Sequence, residues 1–269
     1  MLVKLEVHDR VLAEGLFIAD EIQYNLIHRI CESKSSRCLK SPDGTMIFAH
    51  SEGHNAWLWM TKKLEEDTRN ILLQELIYNL GDSDLPGICA EPQTAELFAQ
   101  MYSKARSTSY RPHMMMEAYF CSEAVEPLNV QGTLQQAKRN NVEIVAEFMA
   151  GFSEGAFGKI VDPASQMGAA EGAIESGNLY LWIVEGQPVS MANIAHRSPR
   201  HARINAVYTP SALRKKGYAS ALVAELCSIL ETERLVPMLY ADLKNPDSNK
   251  VYKNIGFVES GKIADIKFK

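Results

Sequence analysis

Arg214-Lys215-Lys216-Gly217-Tyr218-Ala219 lies between a strand-like run, Arg203 to Thr209, and a strongly amphipathic helix that starts at Ala219. A tight glycine turn feeding a helix N-terminus points several unpaired backbone N–H groups at one place, and the helix adds about half a positive charge there. Such a turn binds phosphate.

The elements around this turn follow from periodicity. Ala219, Leu222, Val223, Leu226 and Leu230 share one helix face, with Ser220, Glu225 and Glu231 opposite. Upstream, Leu179 to Val184, Pro188 to Ala195 and Arg203 to Thr209 read as three consecutive strands, the first pair joined through the hairpin signal Glu185-Gly186-Gln187. Two helices precede them: Asn141 to Phe152, with Val142, Val145, Ala146 and Met149 on one face, and Pro163 to Ile174, opening at Asp162. Downstream, Met238 to Leu243 is a compact apolar strand. Asn245-Pro246 then starts a short helix that Gly256 closes, with Phe257 packing back across the cap. Ile263 to Phe268 is the last strand.

The first half alternates helical and strand-like patterns less clearly. Leu12, Leu16, Ala19 and Ile22 through Ile30 predict an opening helix; Thr45 to His50 and Asn55 to Met60 predict strands joined by a turn at Gly53. Helices are expected over Glu66 to Asn79 and Gln93 to Ala105, separated by the breaker Asp82 to Pro86. A boundary is expected between Tyr110-Arg111-Pro112 and Glu126-Pro127, bridged by an extended segment, Met115 to Cys121. The chain thus divides into residues 1–125, an α/β domain, and residues 126–269.

At 269 residues, the length favours two domains over one, and 46% hydrophobic with 23% charged residues is ordinary for a globular chain. A net charge of -5 excludes nucleic acid as a partner held mainly through phosphates. No apolar stretch approaches a membrane span, and Met1 to Arg10 has no signal-peptide core, so a cytoplasmic, membrane-free location is expected. Five scattered cysteines, an odd number, predict reduced thiols rather than a disulfide framework.

Strand, basic glycine turn, helix, strand, short helix and strand, in that order, resemble the GNAT acetyltransferase superfamily. Its acyl-CoA signature is Arg or Gln, two residues, Gly, one residue, then Gly or Ala; Arg214, Gly217 and Ala219 fill it. Its second signature, an Asn and a Tyr followed by Gly-Phe, is matched by Asn249, Tyr252, Gly256 and Phe257. Each motif alone is weak, but the pair in this order is specific.

The resemblance covers about Gly132 to the C-terminus. It implies a GNAT-like mixed, mostly antiparallel sheet flanked by helices, and it leaves open a degenerate GNAT-like copy in the first half, which lacks the phosphate turn. It further implies acetyl-CoA as acyl donor and an amine, small molecule or protein, as acceptor. The N–H groups of Lys215, Lys216, Gly217, Tyr218, Ala219 and Ser220 would cradle the CoA diphosphate. Arg214 would contact phosphate or instead hold the loop through backbone carbonyls. The backbone of Val207, Tyr208 and Thr209 would pair with pantetheine and polarise the thioester, while the Tyr208 ring reads as core packing.

Asn249 and Tyr252, three residues apart, share a helix face and reach one cofactor arm. Tyr252 is the candidate general acid for the departing thiolate, or else a packing residue between helix and sheet. Glu117, Glu147, Glu154 and Asp242 are candidates for the general base, unranked. The function this implies is an N-acyltransferase working by direct amine attack in a ternary complex; the alternative is a non-catalytic acyl-CoA-binding sensor or scaffold.

Other constellations lead elsewhere. His28, Cys31 and Cys38 have no second cluster to complete a zinc set, so no metal is expected. Neither Gly-x-Gly-x-x-Gly nor a phosphate-loop Gly-Lys-Ser/Thr occurs. Trp57 and Trp59 share one strand face, available to the core or to a pocket.

Overall fold

Alternate residues of one short strand enter two different cores, which shows how the first half is layered. The computed structural model describes all 269 residues. Its first unit comprises Met1–Tyr119, Tyr240–Asn245 and Glu259–Lys269. It is built on β1 (Val3–Lys4), α1 (Leu26–Glu32), β2 (Arg37–Lys40), β3 (Met46–His50), β4 (Ala56–Met60), α2 (Glu66–Leu80), β5 (Gly87–Ala90), α3 (Pro92–Arg106) and β6 (Tyr110–Phe120). Met46, Phe48, Leu58 and Met60 pack with Leu73, Leu76 and Phe98 of α2 and α3. Ile47, Ala49, Trp57 and Trp59 face the other way, onto Phe17, Tyr24 and Ile27. A sheet buried on both faces needs such two-sided apolar strands. Both tryptophans are therefore core residues.

The second unit comprises Phe120–Leu239 and Pro246–Val258. Its elements are β7 (Thr133–Gln136), α4 (Val142–Phe157), α5 (Met167–Glu175), β8 (Leu179–Val184), β9 (Gln187–Arg197), β10 (His201–Tyr208), α6 (Tyr218–Thr232), β11 (Val236–Asp242) and α7 (Pro246–Ile255); the chain ends in β12 (Val258–Phe268). Strands β7 to β10 pair antiparallel in sequence order, and β11 joins β10 in parallel. The β8–β9 turn places Glu185 and Gly186 at φ of 50° and 77°, the hairpin conformation that Gly favours at its second position. Val145, Phe148, Ile174, Leu179, Leu181 and Met191 form the core on one face.

The two halves of the chain repeat one plan. Each runs strand, helical connection, three antiparallel strands, helix, strand, helix, strand, with the strand after the central helix parallel to the one before it. The fold is thus mixed α/β with a mostly antiparallel sheet flanked by helices, and the first half is a second copy of the same arrangement.

Several expectations change. The opening helix is α-helical only over Leu26–Glu32; Arg10–Leu12 and Phe17–Asp20 are short 3-10 turns, with Gly15 at φ 86° between them. Side-chain demands break the longer helix, since Asp20 accepts from Trp59 Nε1 at 2.9 Å and Glu21 meets His28 Nε2 at 2.7 Å in the core. Tyr110-Arg111-Pro112, expected at a boundary, instead opens the eleven-residue strand β6, with Pro112 on its exposed end.

The largest departure concerns residues 240–245 and 259–269, expected in the second half of the chain but belonging to the first unit. Strand β12 pairs antiparallel with β5 from Ala264↔Ala90 to Lys267↔Gly87 and lies between β5 and β6. Glu117 reinforces it by accepting the Gly261 N–H at 2.9 Å. Burial of Ile263 and Ile266 stabilises this unit by about 1.5–3 kcal/mol each, a large part of a typical total of about 5–15 kcal/mol. A chain ending at Val258 is therefore expected to lose amide protection across Gly87–Ala90. Hydrogen exchange that is unchanged at those amides would show that β12 is not holding the unit together.

Candidate functional site

In the second unit, β10 and β11 separate early. Their parallel pairing runs only through His201↔Val236, Ala202↔Pro237 and Arg203↔Met238. Beyond Arg203 the strand stays bound to β9 but carries one extra residue between Asn205↔Asn193 and Tyr208↔Met191, a bulge in which Ala206 adopts φ 50°. A non-glycine residue held in the left-handed region is strained, and bulges aim the backbone beside functional sites. The backbone groups of the β10 end are thereby left without a β11 partner.

Ser190 on β9 fixes that end. Fully buried, its hydroxyl donates to the Tyr208 carbonyl at 2.9 Å and lies 2.8 Å from Thr209 Oγ1. Arg214 closes the next turn, its Nε donating to the Thr209 carbonyl at 2.9 Å. This bond fits the loop-holding role, one of the two open to Arg214. The Tyr208 ring packs on Phe148, with centroids 5.8 Å apart, over Gly151 in the middle of α4. A β-carbon at Gly151 would sit 2.1 Å from the Tyr208 hydroxyl oxygen, so only glycine admits the ring.

Two left-handed residues shape the basic turn. Lys215 has φ 65° and Gly217, the N-cap of α6, has φ 83°. The first helical bond is Ala221 N–H to the Gly217 carbonyl, and no side chain caps the helix. The N–H groups of Lys215, Lys216, Gly217, Tyr218, Ala219 and Ser220 therefore have no acceptor in the turn or the cap. The side chains of Arg214, Lys215 and Lys216 are exposed beside them. Gly217 also packs against Val130, whose Cγ2 would lie 2.7 Å from an added β-carbon.

Asn249 and Tyr252 lie on α7, which packs against α6. Tyr252 is buried and its ring meets Phe257 edge-on at 5.9 Å, while the Phe257 N–H donates to the Tyr252 carbonyl at 3.0 Å and completes the expected cap. Burial pushes the Tyr252 phenol above its ordinary pKa. Among the base candidates, Glu117 is buried in the first unit and accepts the Gly261 N–H, a structural task. Glu147 and Glu154 stand on the exposed side of α4. Asp242 ends β11 and caps the following turn by accepting the Lys244 N–H at 2.9 Å.

Ser190, Ala206, Gly151 and Val130 were not picked out in the sequence. Gly151 alone left a trace there, because a glycine inside a helix costs about 0.5–1 kcal/mol and calls for a packing reason.

Residues 152–257 match the model of the Acetyltransferase (GNAT) family. Solved structures of the same fold span the whole chain. An acetyltransferase from the GNAT family of Colwellia psychrerythraea is 13% identical, with a TM-score of 0.56 over 100% of both chains. A GCN5-related N-acetyltransferase from Sphaerobacter thermophilus is 13% identical, with a TM-score of 0.61 over 100% of this chain and 95% of that one. A Drosophila protein is 12% identical, with a TM-score of 0.67 over 100% and 98%. No curated protein matches the chain in sequence. No helix is long and apolar enough to cross a membrane.

Gly217→Ala is expected to cost about 1–3 kcal/mol, because the new side chain meets both a left-handed backbone and Val130. Adding Val130→Ala should recover only the part due to the clash. Chemical denaturation of the single and double variants measures both terms, and a Gly217→Ala midpoint equal to wild type would contradict the turn geometry.

Proposed function

We propose, from the match of residues 152–257 to the GNAT acetyltransferase family model, that the chain transfers acetyl from acetyl-CoA to a primary amine by direct attack. The observation that carries the reading is the run of six N–H groups, Lys215 to Ser220, without internal acceptors at the start of a 15-residue helix. A diphosphate is the ligand such a nest fits. The cofactor's part is to offer an activated acyl group as a thioester.

The chain's own residues do the rest. Lys215 to Ser220 hold the diphosphate through main-chain amides, and Arg214 keeps their turn in shape through Thr209. The Val207 to Thr209 backbone, released from β11, receives the pantetheine arm and directs a donor at the developing negative charge on the carbonyl oxygen. Asn249 and Tyr252 meet the same arm from α7. As the amine nitrogen bonds the carbonyl carbon and the carbon–sulfur bond breaks, Tyr252 donates its proton to sulfur. The proton that the amine releases passes to solvent and restores the phenol.

A free phenol and a free thiol differ by about 1.5 pKa units, or about 2 kcal/mol; burial of Tyr252 widens that gap. This one observation favours a second reading, in which the chain binds acyl-CoA as a sensor or scaffold without turnover.

Tyr252→Phe separates the two. With acetyl-CoA and a panel of amines, CoA release is expected to fall by about 10²–10⁴-fold while calorimetric CoA affinity stays unchanged. Turnover at the wild-type rate would remove the acid role, and a wild-type chain that binds CoA yet acetylates no amine would support the sensor.

The pH profile gives a further check. The phenol is active when protonated, and its raised pKa keeps it so until above its usual value of about 10. The rate is therefore expected to rise with pH toward the amine's own pKa, with no alkaline decline that Tyr252→Phe abolishes below about pH 10.

A further inference from the structure

The first unit repeats the early strand separation but changes its chemistry. Strands β4 and β5 pair in parallel only through Ala56↔Ile88, Trp57↔Cys89 and Leu58↔Ala90. After Met60 the chain runs Thr61-Lys62-Lys63-Leu64-Glu65 into α2, with no glycine. Glu65 is the N-cap, and Glu66 and Asp67 occupy the first turn. Carboxylates there occupy the favourable electrostatic position and repel a phosphate. The glycine nest of the second unit has no counterpart here.

At the place where β4 and β5 part lies a cavity of about 240 Å³ that includes Asp20, Tyr24, Lys62, Arg69, Glu91 and Thr94 in its lining. Its polar groups are half used. Arg69 donates from Nη2 to the Leu64 carbonyl at 3.4 Å, but its Nε is buried without an acceptor. Glu91 accepts through Oε2 alone, from the Gln93 and Thr94 N–H groups, both at 3.0 Å, and from Thr94 Oγ1 at 3.3 Å. Asp20 accepts through Oδ2 alone, from Trp59 Nε1. The Tyr24 hydroxyl accepts the Glu91 N–H at 2.9 Å and so fixes the start of α3 at the cavity wall.

A buried guanidinium N–H without a partner is costly in a folded chain and calls for a ligand or water to meet it. Two cationic and two anionic side chains line the same space. A simple anion there would face Asp20 and Glu91, and a simple cation would face Lys62 and Arg69. Only a ligand bearing both charges satisfies both sets.

From this we infer that the first unit binds a free α-amino acid. Its carboxylate would sit on Arg69 and Lys62, where the planar guanidinium can give paired N–H donors. Its ammonium would take the open oxygens of Asp20 and Glu91. The cavity volume suits a molecule of that size. This site stands apart from the acetyl-transfer reading and does not depend on it.

The test is calorimetry of the full chain with the twenty common α-amino acids, each compared with its decarboxylated amine and its deaminated acid. At least one amino acid is expected to bind, with both halves weaker by about tenfold or more, which is about 1.4 kcal/mol. Arg69→Met and Lys62→Met should each weaken that amino acid by a similar factor. Lys62 is exposed, so its variant keeps the test valid if Arg69→Met fails to fold. Gly217→Val, which removes the proposed CoA site, should leave amino-acid affinity unchanged. Absence of heat from every amino acid at millimolar concentration overturns the inference. So do halves that bind as well as the whole, binding indifferent to Lys62→Met, or binding lost in a Gly217→Val chain whose first unit keeps wild-type hydrogen-exchange protection.

Discussion

The parallel contact between β10 and β11 lasts only three residue pairs, and the chemistry proposed for the second unit rests on that brevity. A strand that continued paired to Tyr208 would spend its N–H and C=O groups on β11. The bulge at Ala206 prevents this by adding one residue to β10 against β9, at the expense of a left-handed alanine. Such strain persists only where surrounding contacts over-determine it. Ser190 beneath, Arg214 beyond and Gly151 across from the Tyr208 ring supply those contacts. A strained backbone end held from three sides is preorganised, which is what an electrostatic role at a developing charge requires.

The same early separation occurs between β4 and β5, so the two halves share a scaffold and differ in what borders its opening. In the second unit the opening meets a glycine turn with free amides and exposed lysines. In the first it meets an acidic helix start and a cavity of balanced charge. The repeated backbone topology is held because strand pairing and layer packing are set by hydrophobic pattern. Ligand chemistry is free to diverge, because the few residues at the opening carry little of the core.

Burial sets the character of the polar groups as much as their identity does. Tyr252 sits against Phe257 beneath α7, and desolvation makes its phenol hold its proton more tightly. The thiols behave similarly: Cys89, buried on β5 beside Asp265, is pushed up to about 12. Cys38, beside Cys31, and Cys121, beside Cys227, are instead held below the ordinary thiol value by the partner thiol. Proximity to a partner thiol, and not composition, separates these cysteines.

The sequence by itself determined the local features of the second half. Hydrophobic period gave β8 to β11 and α6 but not the short strand β7, the Glu185-Gly186 turn gave its hairpin, and Gly217 and Gly256 marked a helix start and end, because each of these signals acts within one turn or one strand of the chain. The helix that carries Asn249 and Tyr252 at a spacing of three was legible for the same reason. Tertiary structure alone decided that β12 leaves its sequence neighbours to pair with β5, that Tyr110–Pro112 begins a strand, and that Arg69 and Asp20, far apart in sequence, line one cavity. It also decided the roles of Ser190, Gly151 and Val130. Each of these outcomes depends on which distant backbone or side chain arrives opposite, and no pattern within one turn or strand encodes a partner on another element.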